Sequence, residues 1–200
     1  MTIRSETSSQ STIRGQKHSS RPLEGGATFT IRNRINRLIW QITWLLVAAW
    51  TPSFLWPWRG YILRLFGATI HKTAIVRSSV RIWWPGNLFM DAHSSLGPGV
   101  NCYNVARIEL APYAIVSQGA HLCSAGHNID RPDFPLTATP ISIGVCAWVA
   151  AEAFVGPGVS MGEGAVLGAR AVSFRDLEPW MVYAGNPAQP LRKRQKPTNF

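Results

Sequence analysis

The stretch Ile143-Gly-Val-Cys-Ala147-Trp-Val149-Ala-Ala-Glu-Ala153-Phe-Val155-Gly-Pro-Gly-Val159-Ser-Met161-Gly-Glu-Gly-Ala165-Val-Leu167-Gly-Ala-Arg-Ala171 repeats on a period of six. Aliphatic residues stand at Ile143, Val149, Val155, Met161 and Leu167, and a small or medium side chain follows four places later at Ala147, Ala153, Val159, Ala165 and Ala171. Glycine comes directly after the aliphatic position at 144, 156, 162 and 168. Six residues turn an α-helix by about 600°, well off a whole number of turns, so no helix face stays apolar on this period.

A left-handed parallel β-helix does fit. Each six-residue unit forms one flat side of a triangular prism, the aliphatic residue fills the interior, and the small residue lets the chain turn the corner. Glycine near the corners is expected to supply backbone conformations that other residues resist. The same rows run back toward the N-terminus through Leu110, Val116 and Leu122, then Met90, Leu96 and Cys102, then Ile70, Val76 and Ile82. Steps of 6, 6 and 8 in these rows imply two extra residues at the same corner of each coil. The third such corner holds an insertion, Cys123 to Ser142. The fold expected is therefore mainly β: about five coils over residues 70–180, ending near Glu178, with a protruding loop at 123–142. Ser173 breaks the last aliphatic row and is expected to mark the fraying end. With about 4.8 Å between stacked strands the prism should stand roughly 20 to 25 Å tall.

A rigid solenoid places its chemistry on such interruptions. The insertion begins Cys123-Ser-Ala-Gly-His127. Imidazole side chains titrate near neutrality, and one held beside open space where the chain leaves the prism suits a general base. His127 is the catalytic candidate, with Asp130 or Asp133 as candidates to orient it. Asn104 falls at the equivalent corner one coil earlier and should project from the same edge.

Outside the prism the chain has three other regions. Residues 1–28 are rich in Ser, Thr, Arg and Gly, and such a composition does not fold by itself. They also contain no apolar stretch of the secretory kind, so a cytoplasmic location is expected. Residues 29–69 form a Trp-rich segment read as helical, with Pro52 and Pro57 interrupting any single long helix. The apolar run from Leu38 to Trp50 falls short of the roughly 20 residues that span hydrocarbon. Two readings of 38–58 stay open: packing on the rest of the protein, or peripheral contact at the inner face of the cytoplasmic membrane. Residues 181–200 close the chain with Arg192, Lys193, Arg194 and Lys196.

The 20 basic and 10 acidic side chains give a net charge of +10, but the excess sits in residues 1–37 and 191–200. The middle is nearly neutral, so no nucleic-acid partner is expected. Three cysteines without CxxC spacing read as reduced and structural.

The segments Leu122-Cys-Ser-Ala-Gly-His127, Pro140 to Val159 and Val182-Tyr-Ala-Gly185-Asn186-Pro187-Ala resemble the hexapeptide-repeat O-acetyltransferases. The nearest branch is that of the colanic acid biosynthesis acetyltransferases, related to maltose and galactoside acetyltransferases. The resemblance implies a homotrimer with acetyl-CoA in a groove between prisms. It implies that His127 takes the proton from a hydroxyl of a sugar or glycan acceptor, free or lipid-linked, for direct acyl transfer in exopolysaccharide or cell-envelope polysaccharide synthesis. By the same resemblance Asn104 and Trp148 bind the substrate, while Ala150, Ala151, Gly168, Ala169, Arg192 and Lys193 serve the acetyl-CoA site. Gln189 stands where the family often has a basic residue, which shifts the phosphate contact toward Arg192. No metal is expected.

Two other functions compete. A γ-carbonic-anhydrase-like metalloenzyme shares the prism, but His121 and His127 are six apart rather than five. A non-catalytic trimeric scaffold at the membrane would keep the prism without the chemistry.

Overall fold

The computed structural model describes residues 28–196; the tail expected at 1–28 lies, but for its last residue, outside them. Two helices come first, α1 (Ile31–Val47) and α2 (Trp56–Leu65). Thr30 caps α1, its hydroxyl oxygen accepting from the backbone N–H of Asn33 at 3.2 Å. Pro57 sits in the first turn of α2, where its missing N–H costs nothing.

The prism then begins. Coil one is β1 (Thr69–Ile70), β2 (Ile75–Val76) and β3 (Arg81–Ile82). Coil two is β4 (Leu88–Met90), β5 (Ser95–Leu96) and β6 (Asn101–Tyr103). Coil three is β7 (Ile108–Leu110), β8 (Ile115–Val116) and β9 (His121–Cys123). A hairpin of β10 (Ala125–His127) and β11 (Leu136–Ala138) interrupts it. Coil four is β12 (Ile141–Ile143), β13 (Trp148–Val149) and β14 (Phe154–Val155), and coil five is β15 (Ser160–Met161), β16 (Val166–Leu167) and β17 (Val172–Ser173). Equivalent strands pair in parallel and form three faces of a left-handed β-helix.

The register matches the period of six. On the first face Ile70, Met90, Leu110, Ile143 and Met161 stack in line. On the second face Val76, Leu96, Val116, Val149 and Leu167 do so, and on the third Ile82, Cys102, Leu122 and Val155. All are buried in one continuous core with the corner residues Ala74, Ala114, Ala147 and Ala165. Burying each large aliphatic side chain contributes about 1.5–3 kcal/mol. Cys102 is fully enclosed, and burial pushes its thiol up to about 12, in keeping with a structural role.

Two expectations need correction. The prism does not fray at Ser173. That residue keeps its inward place on β17, paired with Val155, and its hydroxyl donates to the Arg175 carbonyl at 2.7 Å. A partial sixth coil follows, in which Leu177 bridges to Met161 and Tyr183 of β18 (Met181–Ala184) pairs with Leu167. β19 (Gln189–Lys193) then folds back antiparallel on β18, so the second face continues past the boundary expected at 180.

The second correction concerns glycine. At the corners, left-handed backbone falls on Gly99, Gly119, Gly158 and Gly164, and also on His93, Tyr113, Cys146, Glu152, Arg170 and Trp180. The glycines that follow the aliphatic positions serve close stacking instead. A Cβ on Gly144 would lie 2.6 Å from the Met161 carbonyl oxygen of the next coil.

The helices close the N-terminal end of the prism. Trp40 of α1 is 1% exposed and its Nε1–H donates to the Ile82 carbonyl at 2.8 Å. Ile62 and Leu63 of α2 join the core. The opposite side of α1 is open among the described residues: Ile35, Leu38, Ile39, Ile42, Leu45 and Leu46 are each 48–66% exposed. No helix among the described residues is long and apolar enough to cross a membrane.

Candidate active site

The hairpin leaves the prism at the corner between the third and first faces. Its root is a buried serine: Ser124 Oγ donates to the Tyr103 carbonyl at 3.0 Å and accepts from the Ala106 N–H at 2.9 Å. The returning strand is held by Thr139 N–H to the Ser124 carbonyl at 2.8 Å. The corner of coil two thus holds the hairpin of coil three in place.

On this hairpin His127 pairs with Leu136 across the strands. Its Nδ1 lies 2.9 Å from the Phe134 carbonyl oxygen, and the two rings stack with centroids 4.4 Å apart and planes 12° from parallel. A carbonyl oxygen only accepts, so Nδ1 carries a proton in this contact, and in the neutral ring Nε2 is then the acceptor nitrogen. The side chain is exposed, and a Cβ built on the neighbouring Gly126 would meet nothing within 4 Å. The result is an imidazole oriented by one residue and exposed to open space.

Phe134 achieves this with φ at +42°, a left-handed conformation that costs a phenylalanine of order 1–3 kcal/mol. Its N–H donates to the Arg131 carbonyl at 2.9 Å, closing the turn that points its own carbonyl at His127. The carboxylates expected to orient the histidine do not do so. Asp133 forms a two-pronged ion pair with Arg131, at 2.9 and 2.7 Å, and among the described residues Asp130 bonds through its backbone N–H, which donates to Asn128 Oδ1 at 3.1 Å. Sequence reasoning missed both Phe134 and Ser124. A backbone acceptor carries no residue signature, and the serine lay in a run already read as loop.

Asn104 is placed differently from its expected role. It is fully buried at the equivalent corner of coil two; its Nδ2 donates to the Trp84 carbonyl at 2.7 Å and its Oδ1 accepts from the Trp84 N–H at 3.1 Å. Both ends of the amide close the corner, leaving none to face an acceptor. The outer row at this edge is aromatic instead: Trp83 meets Tyr103 edge-on at 4.8 Å, and Tyr103 pairs with Cys123 at the foot of the hairpin.

Trp148 lies on β13 of the second face, 43% exposed, its Nε1–H donating to Ser117 Oγ at 2.8 Å. That face is opposite the His127 corner of the triangular prism, so one chain does not bring the two together. Ala150, Ala151, Gly168 and Ala169 share the corner between the second and third faces on coils four and five. The Ala150 and Gly168 N–H groups are taken up by the ladder, donating to Leu167 and Tyr183 at 2.9 and 2.8 Å. Ala169 is exposed there, and Ala150 is buried.

Arg192 and Lys193 stand exposed on β19, opposite Val182 and Met181 and so toward the far end of the second face from that corner. Arg194 is anchored at that far end, its Nη1 donating to the Cys146 and Gly164 carbonyls at 2.9 and 3.0 Å. Among the described residues no group of three His, Cys, Asp or Glu side chains is arranged to hold a metal. His121 sits apart from His127, on the third face against Phe154 and Asn101.

No protein-family model matches the chain. It is 38% identical over 162 residues to "Putative colanic acid biosynthesis acetyltransferase WcaF" of Escherichia coli (strain K12), covering 81% of this chain and 89% of that protein. Among solved structures it superposes on a hexapeptide-repeat acetyltransferase of Vibrio cholerae O1 biovar eltor, complexed with acetyl coenzyme A. The TM-score is 0.73 at 19% identity, over 86% of this chain and 93% of that one. A galactoside acetyltransferase in complex with coenzyme A superposes with a TM-score of 0.69 at 20% identity, over 90% and 92% of the two chains. At such identities the structural likeness concerns the fold.

Proposed function

Since the chain belongs to the hexapeptide-repeat acetyltransferases, we propose that it O-acetylates a sugar hydroxyl from acetyl-CoA during exopolysaccharide or cell-envelope polysaccharide synthesis, with His127 as general base. The observation that carries this reading is the Nδ1 contact to the Phe134 carbonyl. It leaves Nε2 free to take a proton, and a hydroxyl of high pKa needs a base at the moment of attack. The hydroxyl oxygen bonds to the thioester carbonyl carbon as its proton passes to Nε2. The carbon–sulfur bond then breaks, and the proton returns from His127 to the departing thiolate. No acyl-enzyme forms.

The small residues Ala151, Gly168 and Ala169 suit close approach of a pantetheine arm to one corner, while Arg192 and Lys193 stand exposed on β19 as the cations to meet phosphates. Trp148 would wall the site of a neighbouring chain. Its position opposite the His127 corner supports a homotrimer whose sites lie between prisms, because one chain alone does not complete the set. A cytoplasmic location fits an acetyl-CoA-dependent reaction. Asn104 acts on the acceptor only indirectly, by holding the corner below the hairpin.

Calorimetry with acetyl-CoA tests the donor site without knowledge of the acceptor. Saturable binding that weakens in the Arg192→Ala, Lys193→Ala double variant supports it; absence of binding by a trimeric sample removes the acetyl-transfer reading and leaves a scaffold.

A further inference from the structure

We infer that the outward face of α1 lies on an anionic lipid bilayer, so that the N-terminal end of the prism stands on a membrane. At 100° per residue, Ile35, Leu38, Ile39, Ile42, Leu45 and Leu46 fall within a stripe about 120° wide. Trp40, the residue that anchors α1 to the prism, points to the other side. The stripe therefore faces away from the protein over most of the helix, and each of its six side chains is about half exposed or more.

The charge around the stripe selects its occupant. Arg32 and Arg34, both exposed, flank it on either side at the N-terminal end of α1. From residue 25 to residue 90 the chain carries eight basic side chains and not one Asp or Glu. A second copy laid on this face would bring its own arginines against these with no carboxylate from the segment to pair them, which disfavours self-association. Anionic headgroups supply the missing charge, while the acyl boundary takes the apolar stripe, as for helices that lie in a membrane interface. Where α1 ends, Trp50 and Phe54 are each 72% exposed, and Trp58 is 41% exposed with its ring stacked on Tyr61 at 5.8 Å. Tryptophan and tyrosine in such numbers suit the headgroup level.

The geometry also fits the candidate site. His127 emerges from coil three and the helices close coil one, so about 10 Å of prism separates them at two strand spacings. Such a placement holds the hairpin above the membrane surface, within reach of an acceptor carried there.

Flotation of the full-length chain with phosphatidylcholine vesicles, with and without phosphatidylglycerol, tests the assignment independently of acetyl transfer. The protein should float with the phosphatidylglycerol vesicles, float less at high salt, and stay behind with phosphatidylcholine alone. An Ile42→Asn, Leu46→Asn variant should bind roughly 10-fold or more weakly, with its mass by light scattering and its acetyl-CoA binding unchanged. Three results would overturn the inference. They are a wild-type chain that ignores anionic vesicles, a variant that binds them as well as wild type because the basic tail alone suffices, and a variant whose oligomer falls apart, making the stripe a contact between copies.

Discussion

The carbonyl of Phe134 accepts from Nδ1 of His127 at 2.9 Å while the ring of the same phenylalanine stacks on the imidazole. One residue thus fixes both the tautomer and the plane of the proposed base. His127→Ala should lower turnover by roughly 100-fold or more while leaving acetyl-CoA binding and assembly intact. Phe134→Ala keeps the carbonyl but removes the ring, and a loosened base should reduce kcat by roughly 10-fold with little change in KM for acetyl-CoA. Steady-state kinetics on both variants checks this. Equal rates in wild type and His127→Ala would end the general-base mechanism.

Asn104 supplies a second test, because its two possible roles predict different readouts. With both amide ends on the Trp84 backbone in a fully buried corner, Asn104→Ala should cost about 1–3 kcal/mol of stability by leaving a buried N–H and carbonyl unpaired. Urea unfolding reads this directly. An acceptor-binding role would instead raise KM for the sugar at unchanged stability.

These residues also mark how far the sequence could be read. The coil register was legible because each inward position repeats the same demand, an aliphatic side chain and then a small one at the turn. The insertion was legible as an interruption, and its histidine as a residue type suited to a base. Its hairpin was not, since Ala125-Gly-His127 and Leu136-Thr-Ala138 are too short and mixed to show alternation. The sixth coil was missed because Leu177 follows Ser173 by four residues rather than six, and the period returns only at Tyr183. Asn104 is ambiguous in sequence because residue type and corner are alike for an amide aimed outward and one turned in; only packing distinguishes them. The exposed stripe of α1 was legible as apolar, but the direction it faces is a tertiary property.

His121 predicts a pH dependence of stability. It is partly buried on the third face, edge-on to Phe154 at 5.1 Å, with Nε2 3.3 Å from Asn101 Nδ2. Burial lowers its pKa below the ordinary 6.5. The unfolded chain therefore binds this proton more readily than the folded one. The stability His121 contributes is present above pH 6.5 and is lost as the pH falls through its folded pKa. Melting of wild type and His121→Gln across that interval should show the acid-side decline shallower in the variant. Parallel curves would assign the decline to other groups.

Arg59 should be the costliest single residue to replace in the N-terminal cap. It is 0% exposed and has no carboxylate partner within reach among the described residues. Instead its Nε donates to the Val76 carbonyl at 2.7 Å and its Nη1 to Thr51 Oγ1 and the Pro52 carbonyl at 2.8 and 2.9 Å. Nη2 reaches the Ser53 carbonyl at 3.0 Å. One planar fork thereby joins the linker between α1 and α2 to coil one. Burial, and then the like charge of Arg77, lowers its pKa below the ordinary guanidinium value, yet these acceptors sustain the cation. Arg59→Ala leaves several carbonyls buried without donors and should cost on the order of 3 kcal/mol or more. Arg59→Lys restores the charge but not the fork, so it should recover only part of the loss. Because the fork ties the α1–α2 linker to the prism, hydrogen exchange in Arg59→Ala should quicken first in α1, ahead of the coils. Full recovery by lysine would show that charge alone, not the geometry of the donors, holds the cap.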